Sequence, residues 1–264
     1  MYLLKAKKRI QGFNEITREG ESEKDTMMDF GLLLLKGQQT YKSQPGKERA
    51  FLLMKGEISF EWNGRVELVK RDSLLENEPV CLHVPMSTEV KIEAKTNVEI
   101  AIFATTNDAV FECRLYQGND TRSEHRGEGT MRETSTRIVR TIFDVTNAPD
   151  AKLVLGEVVN YPGKWSSYPP HHHPQPEIYH YRFFPEQGFG FGMLGEDVYK
   201  IRHGDTLKIL DDLSHPQVSA PGYAMYYIWA IRHLDGNPYT VPTFELEHLW
   251  VTEKDASIWP FGGE

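Results

Sequence analysis

Short runs of β-branched, aromatic and alternating residues recur along most of the chain, each broken by Gly, Pro, Asn or Asp. They fall at Ala50–Met54, Ile58–Trp62, Arg65–Val69, Val80–Val84, Glu89–Ile92 and Val98–Phe103. They resume at Arg137–Phe143, Lys152–Val159, Ile178–Phe184, Phe189–Leu194, Thr206–Ile209 and Ala224–Ile231. Helical periodicity is scarce. Short strands with turn signals at intervals of about eight to twelve residues pack as a β-sandwich or barrel. Asn63-Gly64, between two such runs, is a tight-hairpin signal. The 264 residues are enough for one large domain or for two of about 130 residues each.

An internal match favours two. Ala94–Ala104 lines up without gaps on Ala220–Ala230, and Glu48–Gly56 resembles the stretch that starts at Glu177. The two offsets are nearly the same. The chain is therefore expected to be two copies of one β-domain, in residues 1–140 and 141–264. Setting Glu48 on Glu177 puts Lys42 opposite His171 and Gln44 opposite His173, while Glu89 falls opposite His215. An ammonium and an amide are weak transition-metal ligands, so the first copy is expected to be metal-free. The joint is expected in Tyr116–Thr136, a polar, Gly-rich stretch read as a solvated linker. A competing reading has Arg122, His125 or Arg126 reaching from that stretch over the neighbouring site.

The second copy holds the most chemistry-laden stretch, Tyr168-Pro-Pro-His171-His172-His173-Pro-Gln-Pro-Glu177-Ile-Tyr179-His180-Tyr181. In an extended chain side chains alternate faces. His171, His173, Glu177, Tyr179 and Tyr181 then share one face, and His172 and His180 take the other. Two imidazoles and a carboxylate converging on one point suit a divalent transition metal. His215 is the candidate fourth ligand, and three His with one Glu leave an open position for a substrate. The plain alternative is a solvated His-rich loop.

The spacing Gly163-x7-His171-x-His173-x3-Glu177-x10-Gly188, followed by a distal strand bearing His215, resembles the two motifs of the cupins, small β-barrels of jelly-roll type. A metal-free copy followed by a metal-bearing one is similar to a bicupin. Ser166–His173, Glu177–Arg182, Gly188-Phe-Gly190, Gly204-Asp205 and His215–Tyr227 narrow the likeness. These stretches resemble the 5-deoxyglucuronate isomerase family of inositol breakdown. The chain departs from that family in its short Pro174-Gln-Pro176 insert, in His172 where the family has Lys, in Met193–Asp197, and in a longer tail around Pro238–Glu247.

The resemblance implies an all-β bicupin with two jelly-roll barrels in tandem. It implies one divalent metal (Zn, Mn or Fe) and isomerisation of 5-deoxy-glucuronate to 2-deoxy-5-keto-gluconate. A metal-dependent cupin dioxygenase and a non-catalytic sugar-binding cupin remain alternatives, since one fold hosts all three. Tyr179 and Tyr181 share the metal face and are the candidates for proton transfer, with barrel packing as their plain reading. Of the consecutive Tyr226 and Tyr227 only one can point inward, and Tyr227 is taken as substrate-binding. A uronate carboxylate needs a cation, and Arg182 and Lys200 are candidates near the motif.

The formal net charge of −8 lies wholly in residues 141–264. An acidic half argues against nucleic acid and anionic membranes as partners, and leaves a small anionic sugar acid compatible with a few local cations. A homo-oligomer is compatible with the sequence. The first residues carry no signal-peptide pattern, apolar runs such as Leu32–Leu35 are far too short to span a bilayer, and Cys81 and Cys113 are the only cysteines. A cytoplasmic location is expected.

Overall fold

The computed structural model describes residues 1–260. Its strands, in chain order, begin with β1 (Leu3–Leu4), β2 (Gly12–Thr17), β3 (Asp29–Leu35), β4 (Thr40–Ser43), β5 (Glu48–Trp62), β6 (Arg65–Arg71) and β7 (Cys81–Val84). Next come β8 (Val90–Ala94), β9 (Val98–Thr105), β10 (Arg114–Tyr116), β11 (Arg122–Arg126), β12 (Arg137–Phe143), β13 (Leu153–Asn160), β14 (Trp165–Ser166) and β15 (His171–His172). The rest are β16 (Glu177–Phe184), β17 (Phe189–Leu194), β18 (Asp197–Arg202), β19 (Thr206–Ile209), β20 (Gln217–Ser219), β21 (Ala224–Arg232) and β22 (Thr243–Phe244).

One large sheet runs β10-β7-β5-β9-β3-β2 and another β1-β19-β16-β21-β13-β12-β11. Strand for strand, β7, β5, β9, β3 and β2 correspond to β19, β16, β21, β13 and β12. Each large sheet has a smaller companion. In the first half, β4, β8 and β6 assemble on the distal part of β5; in the second, the order is β14-β20-β17-β18. The architecture is all-β, with the same two-sheet jelly roll built twice. β5 serves both sheets of its half as one strand because it bends at Gly56, whose φ is +100°. A Cβ there would lie 2.6 Å from the Asn97 carbonyl oxygen, so only glycine fits. Three pieces of the first 140 residues join the second half's sheet: β1 pairs with β19, β11 pairs with β12, and β12 itself starts at Arg137. The stretch expected as a solvated linker is thus in part an edge strand. Its sequence, Arg-Ser-Glu-His-Arg, shows no apolar alternation because neither face meets an apolar core.

The internal match identifies the right strands but is one residue out in register. Glu48 pairs with Thr105 and Glu177 with Ile231, as the alignment requires, yet the two carboxylates point to opposite sides. In the first barrel Phe51, Leu53, Ile100 and Ile102 face inward, while Ala50, Leu52, Ala101 and Phe103 face the other half. In the second barrel Tyr179, Tyr181 and Tyr227 face inward, while Ile178, Tyr226, Ile228 and Ala230 face the first. A one-residue slip reverses every face. Glu48 therefore points into the seam, where it accepts from Asn107 Nδ2 (2.7 Å) and the Lys152 amide (2.8 Å), and contacts His83 Nε2 (2.8 Å). The inward residue at that level is Arg49, held by Ser43 Oγ (2.7 Å) and the Thr88 carbonyl. Lys42, Gln44 and Glu89 are exposed and do not converge with Glu48 as the alignment expected.

The seam carries a core of its own, with Phe30, Leu52, Phe103, Phe143, Leu155 and Ile228 fully enclosed. At its centre Glu157 accepts from Arg71 Nη2 (2.6 Å) and Nη1 (3.0 Å), Arg140 Nη1 (3.0 Å) and the Tyr226 hydroxyl (2.7 Å). All four side chains are buried. Removing the carboxylate leaves the Arg71 guanidinium in the interior without a counter-charge and Arg140 with only the more distant Glu78 (3.8 Å), which costs about 3–5 kcal/mol. Glu157→Leu is accordingly expected to lower the melting temperature by roughly 2–4 °C per kcal/mol lost. Scanning calorimetry reads this directly, and an unchanged transition would show that the seam does not depend on the carboxylate.

Candidate metal centre

Pro169 and Pro170 hold the approach to β15 extended, and Pro174 and Pro176 bracket the turn into β16. This brings His173 and Glu177 together: His173 Nε2 lies 3.3 Å from Glu177 Oε2. His215 arrives from the loop before β20, where its backbone amide donates to the His171 carbonyl (3.3 Å). Its Nε2 stands 3.4 Å from the same Glu177 oxygen. One ligand atom from each of His173, Glu177 and His215 lies within 4.8 Å of the others, and all three residues are buried. The His171 ring is next to them, 4.9 Å from that of His215 between centroids.

Each of these imidazoles is oriented by a backbone carbonyl. His171 Nδ1 donates to Pro169 O (3.0 Å), His173 Nδ1 to Gln175 O (3.0 Å), and His215 Nδ1 to Leu213 O (2.9 Å). A carbonyl only accepts, so the proton sits on Nδ1 and the lone pair on Nε2. Burial pushes the His171 pKa down to about 4 and His215 well below its ordinary value, with the neighbouring imidazoles adding to both shifts. These groups are neutral at pH 7, the form that binds metal. Burial raises Glu177, and its contact with the His173 ring pulls it back. His215 Nε2 is a buried nitrogen with no hydrogen-bond partner. An orphaned lone pair beside a carboxylate and a second imidazole fits a divalent cation.

The cluster opens into a cavity of about 460 Å³, and Tyr179, Tyr227 and Trp229 are part of its wall. The Tyr179 hydroxyl is 3.0 Å from Ser167 Oγ and that of Tyr227 is 2.6 Å from Ser166 Oγ. Burial drives both phenols above their ordinary pKa. Trp229 fits because β13 has glycine beneath it: a Cβ on Gly156 would lie 2.2 Å from the indole. Tyr181 shares the inward face but is not in the cavity wall, since its hydroxyl is bound to Gln217 Oε1 (2.6 Å). His172 and His180 turn away as their register requires, towards Asp212 Oδ1 (2.7 Å) and Thr206 Oγ1 (2.8 Å).

Arg182 and Lys200 do not line the cavity. Arg182 follows Tyr181 and so takes the opposite face of β16, where it binds Glu99 across the seam. Lys200 lies on β18 with its ammonium 4.4 Å from the centre of the Phe189 ring. Nearness in sequence had suggested them, and strand alternation removes Arg182. The cations in the wall are Arg122, Arg126 and Arg137. The first and second come from the stretch read mainly as linker. Arg137 was missed, although inward alternation with Val139 was a usable signal. The tail also contributes: β22 pairs with β15, joining Phe244 to His171. The Tyr239 ring lies 4.8 Å from that of His173, and the Phe244 ring 5.4 Å from that of His171. Nothing local in the sequence points the tail at the metal ligands.

A sequence model of the KduI/IolB family matches residues 2–251. A 5-deoxy-glucuronate isomerase of Geobacillus kaustophilus (strain HTA426) is 28% identical over 241 residues, covering 84% of each chain. An IolB-like protein from Salmonella typhimurium LT2, known from its crystal structure, superposes with a TM-score of 0.85 at 22% identity, covering 95% of this chain and 99% of that one. A cupin 2 conserved barrel domain protein from Leptotrichia buccalis gives a TM-score of 0.53 at 12% identity, covering 87% and 92%. The structural likenesses show a cupin fold.

Two outcomes follow from the geometry. His173→Ala and His215→Ala should each lose bound metal on elemental analysis of protein purified with Zn, Mn or Fe, while His172→Ala keeps it. Retention in both of the first two variants would reject the ligand set. In metal-free protein, His171 binds its proton less readily folded than unfolded. Stability should therefore fall as pH drops from the ordinary value of 6.5 towards about 4, since the unfolded state takes up the proton first. His171→Gln should flatten that part of the thermal-unfolding profile; an unaltered slope would contradict the assignment.

Proposed function

The chain belongs to the KduI/IolB family, and from that premise we propose an aldose–ketose isomerase that converts 5-deoxy-glucuronate to 2-deoxy-5-keto-gluconate in inositol catabolism. The observation that carries this reading is the orphaned His215 Nε2 beside His173 and Glu177, opening into a cavity whose wall includes Tyr179. His173, Glu177 and His215 would hold a divalent Zn, Mn or Fe ion, with His171 as the fourth ligand. When bound, such an ion supplies Lewis-acid polarisation of a carbonyl and its neighbouring hydroxyl.

The chain's own groups do the rest. Tyr179 and Tyr227 stay protonated at neutral pH because burial raises them, so both can donate to substrate oxygens where negative charge develops. Ser167 and Ser166 fix those two phenols, and we place Tyr179 as the donor to the substrate oxygen on which the negative charge develops. Tyr239 and Phe244 narrow access to the His residues they touch, limiting water at the reacting carbons. In this reading residues 141–264 form the metal-bearing barrel, to which the preceding part of the chain lends β11, and residues 1–140 form its metal-free partner. A cytoplasmic location is part of the same proposal; among the described residues no helix is long and apolar enough to cross a membrane.

Metallated protein should turn over 5-deoxy-glucuronate. In heavy water, deuterium should enter the carbon that gains the proton, located by NMR. Normal turnover with no label would replace proton transfer by a hydride shift and spare the isomerase. No turnover of any uronate, with oxygen consumed on another substrate, would favour the dioxygenase alternative; sugar binding without chemistry would favour a binding protein.

A further inference from the structure

We propose that Arg137, with Arg126 directly across from it, forms the subsite that binds the carboxylate end of an anionic sugar in the cavity of the second barrel. This rests on the reading of that cavity as a uronate site. Arg137 and Arg126 occupy opposite positions of the β11–β12 pair. Like charges placed directly opposite on neighbouring strands repel, and both residues line the cavity. Arg122 is neutralised by Asp144 (2.8 Å) and Arg126 by its neighbour Glu124.

Arg137 differs from both. It is only 7% exposed, yet its guanidinium bonds to neutral groups alone: Ser135 O (2.7 Å), Ser135 Oγ (2.6 Å) and Tyr168 O (3.2 Å). No carboxylate among the described residues pairs with it. A buried charge is ordinarily paired, because desolvation is otherwise uncompensated. Burial, followed by the Arg126 charge, weakens its hold on its proton, and only the hydroxyls of Tyr227 and Tyr179 oppose them. The same two arginines help push down the His171 pKa, so their field reaches the metal ligands. The three bonds to Ser135 and Tyr168 fix the guanidinium plane, which suits a planar carboxylate. A sugar acid held here by its carboxylate presents its other end to the ligand cluster.

Calorimetric titration of metal-loaded protein with D-glucuronate and with D-glucose tests this, because the two probes differ by a carboxylate against a hydroxymethyl group. Wild type should prefer glucuronate by about tenfold or more, the range of one charge-assisted contact. The preference should shrink as salt is added. Arg137→Gln should remove most of it while metal content and the circular dichroism spectrum stay as in wild type. Arg137→Lys should keep part, since it retains the charge without the fork, and the exposed Arg126→Gln should lower it by a smaller factor. Equal affinity of wild type for the two probes overturns the proposal, as does full preference in folded Arg137→Gln. Should Arg137→Gln not fold, undiminished preference in both Arg137→Lys and Arg126→Gln overturns it. Preference without turnover of any uronate would defeat the isomerase reading and leave the subsite standing.

Discussion

Two carboxylates buried in the seam hold the halves of the molecule in one relation. Glu157 gathers guanidinium groups from both halves, and Glu48 reaches from β5 to the amides of Lys152 and Leu153 at the start of β13 (2.8 and 3.2 Å). Each acts from one half upon the other. Desolvating such groups is costly, and the interaction is favourable only when partners are placed well. Apolar packing alone would tolerate sliding of one sheet over the other; a carboxylate with four donors does not. These contacts anchor β13 and β21, which pair with each other, and β21 pairs in turn with β16, the strand that bears Glu177.

The same economy of polar partners shapes the candidate metal centre. Three backbone carbonyls fix three imidazoles, so the ligand geometry is set by main chain that the proline-rich turns have already stiffened. Gln175 ties that turn to the tail through the Asn237 carbonyl (2.9 Å). Burial keeps His171 and His215 neutral, and a neutral Nε2 without a partner is a group that a cation would satisfy.

The two barrels differ at the level of this candidate centre. At the level of Glu177 the first barrel turns Arg49 inward, and its guanidinium spans to Ser43 and Thr88. A fixed cation there ties strands together with the charge sign of a metal but none of its coordination chemistry. The carboxylate that would have been a ligand is one residue away on the other face, serving the seam.

Much was legible in the sequence because β structure has a period of two. That period put His171, His173 and Glu177 on one face, sent His172 and His180 to the other, and marked most of the strands. The distant partner His215 was legible through its place in a resembling motif. Tertiary structure decided what a period cannot. Whether Glu48 or Arg49 faces inward depends on a single-residue register, and only packing against the other half fixes it. Two of the cavity's arginines come from β11, which has no apolar pattern because one face meets solvent and the other the open cavity. The tail closes over His171 and His173 through a pairing more than 70 residues distant in sequence, roughly the separation at which local patterns carry no information about contact. The sequence by itself thus determined the strands, the face that carries His173 and Glu177, and the family. Which side of each strand became interior, and which cations the cavity received, was settled by long-range packing.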